Sequence, residues 1–139
     1  MKSVLSIKIE KSLIQQLGLS DNIVAFPKVK DEVLAEAYTG AKLFVYPSLN
    51  EGFGFPPLEA MSLGCPVLAS RVSSIPEVCG DAPFYYDPAD RESFSYQLSH
   101  ALSDEDERQR AIGRGKVVAA SYSWDKCGEQ TLSVYRNCQ

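Results

Sequence analysis

The 139-residue chain has a single histidine, no Cys-x-x-Cys pair and no long apolar run. Its four cysteines are too far apart in sequence for a typical zinc site, and such a chain can build a core without a disulfide framework. We therefore expect reduced thiols and a cytoplasmic protein. Apolar runs such as Leu43–Tyr46 fall far short of the ~20 residues that span a bilayer, and the N-terminus shows no apolar signal segment.

Positive charge is also in short supply. The chain has 14 Lys and Arg residues against 18 Asp and Glu residues, a formal net charge of −4. Nucleic-acid binding requires a basic surface, so we predict no nucleic-acid partner. Hydrophobic residues make up 45% of the chain and charged residues 23%, as in an ordinary globular protein of about one domain.

Short apolar runs typical of strands alternate with helical patterns along the chain. The predicted strands are Ile23–Phe26, Leu43–Tyr46, Pro66–Ser70 and Phe84–Tyr86. The predicted helices are Ile7–Leu17, Lys30–Tyr38, Pro56–Leu63, Ser74–Val78, Glu92–Leu102, a helix capped by Ser103 and a last helix capped by Ser123. Alternation of this kind predicts an α/β fold with a parallel sheet. Ligands of such sheets bind outside the carboxyl ends of the strands, here the loops Pro27–Lys30, Ser48–Gly54 and Arg71–Ser74.

The loop and helix start after the second strand carry the clearest functional signal. Gly52 and Gly54 leave the backbone bare immediately before a predicted helix, whose N-terminus attracts anions. Pro56 and Pro57 have no N–H group, so the available donors are those of Gly52, Phe53, Gly54, Leu58 and Glu59. This arrangement predicts a phosphate-binding site.

Two glutamates flank this loop, Glu51 on the loop and Glu59 in the expected first turn of the helix. Taken alone, each has an ordinary interpretation, as a solvated side chain or as a partner of the helix dipole. A pair of carboxylates could also serve a glycosidase. The glycine-rich helix start beside them favours a phosphate ligand instead.

The region resembles the signature of retaining glycosyltransferases of the GT-B fold, the group 1 or family 4 class, whose hallmark is two glutamates separated by seven residues. The resemblance covers about residues 12–137. Its further matches are Tyr46-Pro47-Ser48, Glu59-Ala60-Met61, Gly64-Cys65-Pro66-Val67, Ser73–Val78, Gly80-Asp81-Ala82, Asp87-Pro88 and Tyr122-Ser123-Trp124. It implies that residues 1–139 form a single, incomplete Rossmann-like donor-binding domain, with a partial parallel sheet, flanking helices and a helical C-terminus.

The same resemblance implies the roles of individual residues. Glu51 is expected to be catalytic, orienting the donor sugar, and Glu59 is expected to accept hydrogen bonds from the ribose. Backbone contacts to the sugar, the diphosphate and the base are expected from Gly52, Phe53, Gly54, Leu58 and Val29. The donor is expected to be a UDP- or GDP-linked sugar, with no cofactor and no metal.

The resemblance also bears on partners. It implies that an N-terminal domain absent from this sequence holds a glycan or lipid acceptor, so the chain is expected to be an inactive fragment of an enzyme that works in the cytoplasm or at the membrane surface. The alternatives are a non-catalytic nucleotide-sugar binding or scaffolding module and a degraded remnant. The first two strands of such a domain are expected to be missing, which would leave Leu43–Tyr46 with an open edge. That edge would self-associate, be completed by another polypeptide or pair with Ile23–Phe26.

Three other side chains could be assigned a function, but we do not favour such an assignment. Trp124 is expected in the core rather than as a sugar platform. His100 and Arg71 are expected at the surface, with no catalytic or phosphate-binding role.

Overall fold

The computed structural model describes residues 11–24 and 29–138. The chain divides into two compact units, residues 1–30 and residues 31–139, so the prediction of a single domain stays a prediction. In the first unit, residues 11–16 are helical and Gly18, with φ +66°, follows the helix as predicted. Ser20–Asn22 form a 3₁₀ turn. The described part of the predicted strand, Ile23 and Val24, is not assigned to a strand. Residues 7–10 of the predicted helix, residues 25–26 of that strand and residues 27–28 of the following loop lie outside the described residues.

The second unit alternates helices and strands as the sequence predicts. Its elements are α1 (Asp31–Gly40), β1 (Phe44–Tyr46), α2 (Phe55–Ser62), β2 (Val67–Ser70), α3 (Ile75–Cys79), β3 (Phe84–Tyr86), α4 (Arg91–Ser103), α5 (Glu105–Ala120) and α6 (Trp124–Asn137). Each begins and ends within a few residues of its expected position.

The three strands form one parallel sheet in the order β1-β2-β3. The register pairs Val45 with Leu68 and Ala69 with Tyr85. The predicted α/β class with a parallel sheet is therefore confirmed. Within the described residues, no strand pairs with the other edge of β1, and the association expected through that edge stays a prediction.

Strand β2 lies at the centre of the core and is buried along its whole length. Val67 and Ala69 pack into one apolar cluster with side chains of α2 and α3. Leu68 points to the opposite face, where it meets Ala101 of α4 and Ala111 of α5. Burial on both faces explains why β2 reads as a continuous apolar run rather than an alternating one.

A close helix–helix contact holds α2 in place. A Cβ added at Gly115 of α5 would lie 3.0 Å from Cγ of Met61 in α2, so any larger residue there would require the Met61 side chain to shift. Helix α2 carries the glycine-rich loop at its N-terminus, and this contact fixes the position of that loop relative to the core.

The capping of the C-terminal helices corrects one sequence prediction. Ser103 is the last residue of α4, and Asp104 caps α5 by accepting a hydrogen bond from the Glu107 N–H at 2.9 Å. Asp104 has the extended backbone that a cap requires, with φ −96° and ψ 95°. Ser123 caps α6 as predicted, accepting from the Lys126 N–H at 3.1 Å.

Arg108 joins α4 to α5 and generates a stability prediction. Its side chain is buried, donates to the carbonyls of Ala101 and Leu102 at 2.7 and 2.8 Å and pairs with Glu105. Arg108→Ala leaves two carbonyls at the end of α4 without these donors, and we expect it to cost about 2–4 kcal/mol of unfolding free energy.

Urea denaturation measures this loss, and Arg110→Ala is the matched control. Arg110 pairs with Glu107 on the same helix but is exposed, so we expect little change from its removal. Equal effects of the two substitutions would contradict the role given to Arg108.

Candidate functional site

Glu51 lies in the loop that follows β1, and its carboxylate is held by two hydroxyl groups. Its Oε1 accepts hydrogen bonds from Tyr46 Oη at 2.5 Å and Ser48 Oγ at 2.6 Å. The Ser48 bond, and then the Tyr46 bond, lower the pKa of Glu51 below its ordinary value. Burial and the same hydrogen bond raise the pKa of Tyr46 to about 12. At neutral pH, Glu51 is therefore ionised and Tyr46 keeps its proton.

The main chain of Glu51 is anchored as well. Its carbonyl accepts hydrogen bonds from Ser73 Oγ at 2.7 Å and Ser74 Oγ at 2.9 Å. These serines lie in the turn between β2 and α3. Ser70, the last residue of β2, donates to the carbonyl of Ser48. Two of the three loops predicted to form the site are thus joined directly at the carboxyl ends of neighbouring strands.

The glycine-rich segment ends in a left-handed turn at the start of α2. Gly54 has φ +98° and ψ 49° and is the N-cap of the helix, a conformation that favours glycine. The helix begins at Phe55, followed by two prolines without N–H groups. The free donors of this helix start are therefore those of Gly54 and Phe55.

This helix start revises the predicted set of donors. In a helix beginning at Phe55, the Leu58 N–H bonds to the carbonyl of the N-cap and the Glu59 N–H bonds one residue further on. The geometry thus favours the Phe55 N–H, which is not among the donors predicted from the sequence, over that of Leu58. The Pro56-Pro57 pair was the available signal, because proline is common in the first helical turn.

Glu59 is the fifth residue of α2, so it lies a full turn into the helix rather than in the expected first turn. Its side chain is exposed, and no donor in the described parts of the chain bonds its carboxylate. It borders a cavity of about 330 Å³ between α1 and α2. The other lining residues are Asp31, Leu34, Ala35, Tyr38, Ser62 and Leu63.

A row of aromatic rings lies between the two glutamates. Tyr38, which lines the Glu59 cavity, meets Phe44 edge to face at 5.1 Å between ring centroids, and Phe44 lies 5.9 Å from Tyr46. Desolvation, and then the charge of Glu59, raise the pKa of Tyr38. In the described structure Glu51 and Glu59 do not interact directly, and the three aromatic rings lie between them.

Val29, the expected base contact, belongs to the other compact unit. It is 39% exposed, and Pro27 and Lys28 of its loop lie outside the described residues. Its predicted contact with a nucleotide base stays a prediction.

A second aromatic cluster covers the glycine-rich loop and corrects the expectation for Trp124. Phe53 packs against Phe55 at 4.8 Å and against Tyr122 at 5.7 Å, while Trp124 stacks on Phe55 at 6.2 Å. Trp124 is 79% exposed rather than in the core. The physical reason is that α6 buries none of its residues, so its first residue is held mainly by an aromatic surface.

Arg71 lies exposed where β2 ends, with its guanidinium over the Tyr85 ring at 5.2 Å from the centroid. It borders an open cavity of about 380 Å³ at the carboxyl ends of β2 and β3. The surface position expected for Arg71 is confirmed. His100 is also only partly buried, 3.6 Å from Asp104.

The described part of the chain has neither a metal-ligating cluster nor a membrane-spanning helix. No group of three or more His, Cys, Asp or Glu side chains there could hold a metal ion. Asp104 and Asp106 have the Asp-x-Asp spacing that could suggest a metal site. They do not belong to such a group, and Asp104 instead caps α5. None of the described helices has both the length and the apolar composition needed to cross a membrane.

One family model and two curated relatives match this chain. Residues 8–118 match the family model of glycosyl transferases group 1. The chain is 46% identical over 108 residues to the O-antigen chain mannosyltransferase B of Escherichia coli, covering 78% of this chain and 28% of that protein. It is 35% identical over 129 residues to the MMP alpha-(1->4)-mannosyltransferase of Mycolicibacterium hassiacum, covering 90% and 31%.

A solved structure extends the similarity to the fold. Sucrose-phosphate synthase from Thermosynechococcus elongatus superposes with a TM-score of 0.84 at 25% identity, covering 94% of this chain and 34% of that one. The chain thus spans about a third or less of each of these three proteins.

The conformation of the glycine-rich segment leads to a stability prediction. Gly54→Ala places a side chain at φ +98°, whereas Gly52 has no positive φ and a Cβ there would meet nothing within 4 Å. We expect Gly54→Ala to cost about 1–2 kcal/mol of unfolding free energy and Gly52→Ala to cost much less. Urea denaturation of both variants checks this, and a reversed order would contradict the backbone described for this turn.

Proposed function

The chain belongs to the group 1 glycosyltransferases, with the fold of their C-terminal GT-B domain, and we propose that it binds the nucleotide-diphosphate sugar from which the glycosyl group is transferred. The observation that carries this proposal is the close placement of two features at one strand end. An ionised, hydroxyl-anchored Glu51 lies next to a glycine-rich helix start with free N–H groups.

The diphosphate is proposed to lie at the N-terminus of α2. The N–H groups of Gly54 and Phe55 have no partner inside the helix, and the helix dipole adds partial positive charge at the same end. The N–H groups of Gly52 and Phe53 continue this surface along the loop. Together they provide anion binding without a lysine, as helix N-termini do in nucleotide-binding folds. In this arrangement the contribution of Leu58 is structural, because its buried side chain packs in the core and stabilises the start of α2.

The ribose is proposed to bind at Glu59. A carboxylate can accept hydrogen bonds from both hydroxyls of a ribose, as in dinucleotide-binding folds. The Glu59 side chain is exposed and borders the 330 Å³ cavity, so it has the required access.

Glu51 is proposed to orient the donor sugar, and the reaction is proposed to retain the anomeric configuration. As the bond between the anomeric carbon and the diphosphate oxygen breaks, its electron pair leaves with the nucleoside diphosphate. The acceptor hydroxyl forms the new bond on the same face of the sugar and passes its proton to an oxygen of the departing diphosphate. N–H groups fixed at the helix start stabilise the charge of the departing diphosphate and can serve in place of a metal ion.

The lowered pKa of Glu51 speaks against this residue as the acid of a glycosidase pair. A glycosidase acid needs a raised pKa to hold its proton at neutral pH, and the two hydroxyl donors shift Glu51 in the opposite direction. A carboxylate stabilised in this way is better suited to orienting sugar hydroxyls than to donating a proton.

The names of the two relatives, both mannosyltransferases, support a mannosyl donor, and the nucleotide is proposed to be GDP or UDP. The acceptor, a glycan or lipid, is proposed to bind to the part of such proteins that lies outside the region matched by this chain.

We expect the 139-residue chain by itself to transfer no sugar, because transfer requires an acceptor held close to the anomeric carbon. Incubation with radiolabelled GDP-mannose or UDP-glucose and a mixture of glycan and lipid acceptors measures this. The Glu51→Ala, Glu59→Ala double variant sets the background. Turnover above that background would contradict the expectation.

We expect Glu59→Gln to weaken nucleoside diphosphate binding about five- to tenfold without loss of fold. A charge-assisted hydrogen bond to the ribose is replaced by a neutral one of roughly half its strength. NMR titration with GDP and UDP gives the affinity, and thermal melting gives the stability. Glu36→Gln, an exposed change on α1, is the control. Unchanged affinity with a lowered melting temperature would show that Glu59 serves only the helix.

A further inference from the structure

We propose that Ser73 and Ser74 are positioning residues of the donor site, and that Tyr46 is a positioning residue for the carboxylate of Glu51. Neither group needs to touch the donor: the serines fix the backbone that contacts it and Tyr46 fixes the side chain. This inference rests on the proposed function, because it assigns these hydroxyls to the site at which the nucleotide sugar would bind.

The first step of the argument concerns the peptide between Glu51 and Gly52. Its carbonyl accepts hydrogen bonds from the hydroxyl groups of both Ser73 and Ser74. Since the peptide is trans, as are all those described, the Gly52 N–H points opposite to that carbonyl and away from the serine turn. A flip of this peptide would break both hydrogen bonds at once. The serines thus hold the Gly52 N–H in a fixed direction before any ligand binds.

The second step concerns the backbone of Ser73. It has φ +53° and is the sole non-glycine with a positive φ among residues 11–24 and 29–138. Glycine would adopt this conformation without strain, but it would lack the hydroxyl that reaches the Glu51 carbonyl. That hydroxyl also lies 3.2 Å from Oδ1 of Asn50 in the same loop. A strained residue held by contacts to a neighbouring loop is the pattern found at functional sites.

The third step concerns the carboxylate of Glu51. Both hydroxyl donors, Tyr46 and Ser48, bond to the same oxygen, Oε1. No donor within the described residues contacts Oε2, so this oxygen is available to a sugar hydroxyl. The Tyr46 ring is itself packed against Phe44 on β1, which gives the phenol a fixed position. The sheet thereby sets the direction in which Oε2 is presented.

The two anchors make different predictions for the two parts of a donor. Tyr46 acts through the Glu51 side chain, which is proposed to face the sugar. Loss of its hydroxyl should therefore weaken binding of a sugar nucleotide but not of the nucleoside diphosphate alone. Ser73 and Ser74 act through the Gly52 N–H, which is proposed to face the diphosphate as well. Loss of their hydroxyls should weaken binding of both ligands.

NMR titration of the 139-residue chain tests this with GDP-mannose and GDP, and with UDP-glucose and UDP. For the pair that the wild type binds more tightly, we expect Tyr46→Phe to weaken sugar-nucleotide binding about three- to tenfold and diphosphate binding less than twofold. We expect Ser73→Gly to weaken binding of both about three- to tenfold, although it relieves backbone strain and should not destabilise the fold.

Two further variants guard against structural explanations. Ser121→Ala removes a hydroxyl that donates to a backbone carbonyl at 2.7 Å at the end of α5, so it controls for the loss of such a bond elsewhere. Ser74→Ala provides a second test of the carbonyl anchor if Ser73→Gly is poorly folded. Urea denaturation accompanies each titration. Ser73→Gly and Ser74→Ala variants that fold and bind like the wild type would overturn the role of the serine turn.

A carbon-13 signal from the Glu51 carboxyl, assigned by its loss in Glu51→Gln, gives a readout that does not depend on affinity. We expect Tyr46→Phe to raise the pKa of this carboxyl, since one of its two hydroxyl donors is lost. We also expect GDP-mannose or UDP-glucose to shift the signal in the wild type. An unmoved pKa, or equal losses for sugar nucleotide and diphosphate in Tyr46→Phe, would overturn the role of Tyr46.

The outcomes separate this inference from the proposed function. If the wild type binds none of the four nucleotides, the proposed function fails and the inference falls with it. If the wild type binds a sugar nucleotide and Tyr46→Phe and Ser73→Gly bind it equally well, the proposed function stands and the inference alone is wrong.

Discussion

The buried strand β2 is the constraint on which the rest of the second unit depends. Its side chains alternate between two apolar clusters, so helices must cover both faces of the sheet. Its neighbours β1 and β3 run parallel to it, and all three strands end at the same edge. The loops that follow β1 and β2 are therefore forced together, and the polar contacts of the site form where they meet.

The side-chain hydrogen bonds that join the two loops at this edge come mainly from hydroxyl groups rather than from charged side chains. Ser70 bonds the loop after β1 from the end of the core strand, and Ser73 and Ser74 bond it from the next turn. Neutral donors stabilise the negative charge of Glu51 without neutralising it. A carboxylate that stays charged beside a helix N-terminus can accept sugar hydroxyls, while the helix itself offers partial positive charge to a diphosphate.

The sequence predicted the elements well and their finer contacts less well. The strands and helices of the second unit follow from apolar runs, proline and glycine, because these act locally. The predicted cap of α5, Ser103, was wrong. Ser103 and Asp104 are both good capping residues, and only the length of α4 decides between them. Trp124 is predicted in the core because it lies in the closing helix, but its burial depends on what α6 packs against, which no local pattern records.

The sequence by itself determined the fold class, the family resemblance and the segment in which the site lies. These follow from periodicity and from residue types at fixed spacing, such as Glu51 and Glu59 around two glycines. Only the tertiary structure decided that the Glu51 carbonyl and carboxylate are held by different hydroxyls, and that Ser73 adopts a positive φ to reach the loop. Ser73 is 22 residues from Glu51, and the parallel crossover through α2 is what brings such distant residues into contact.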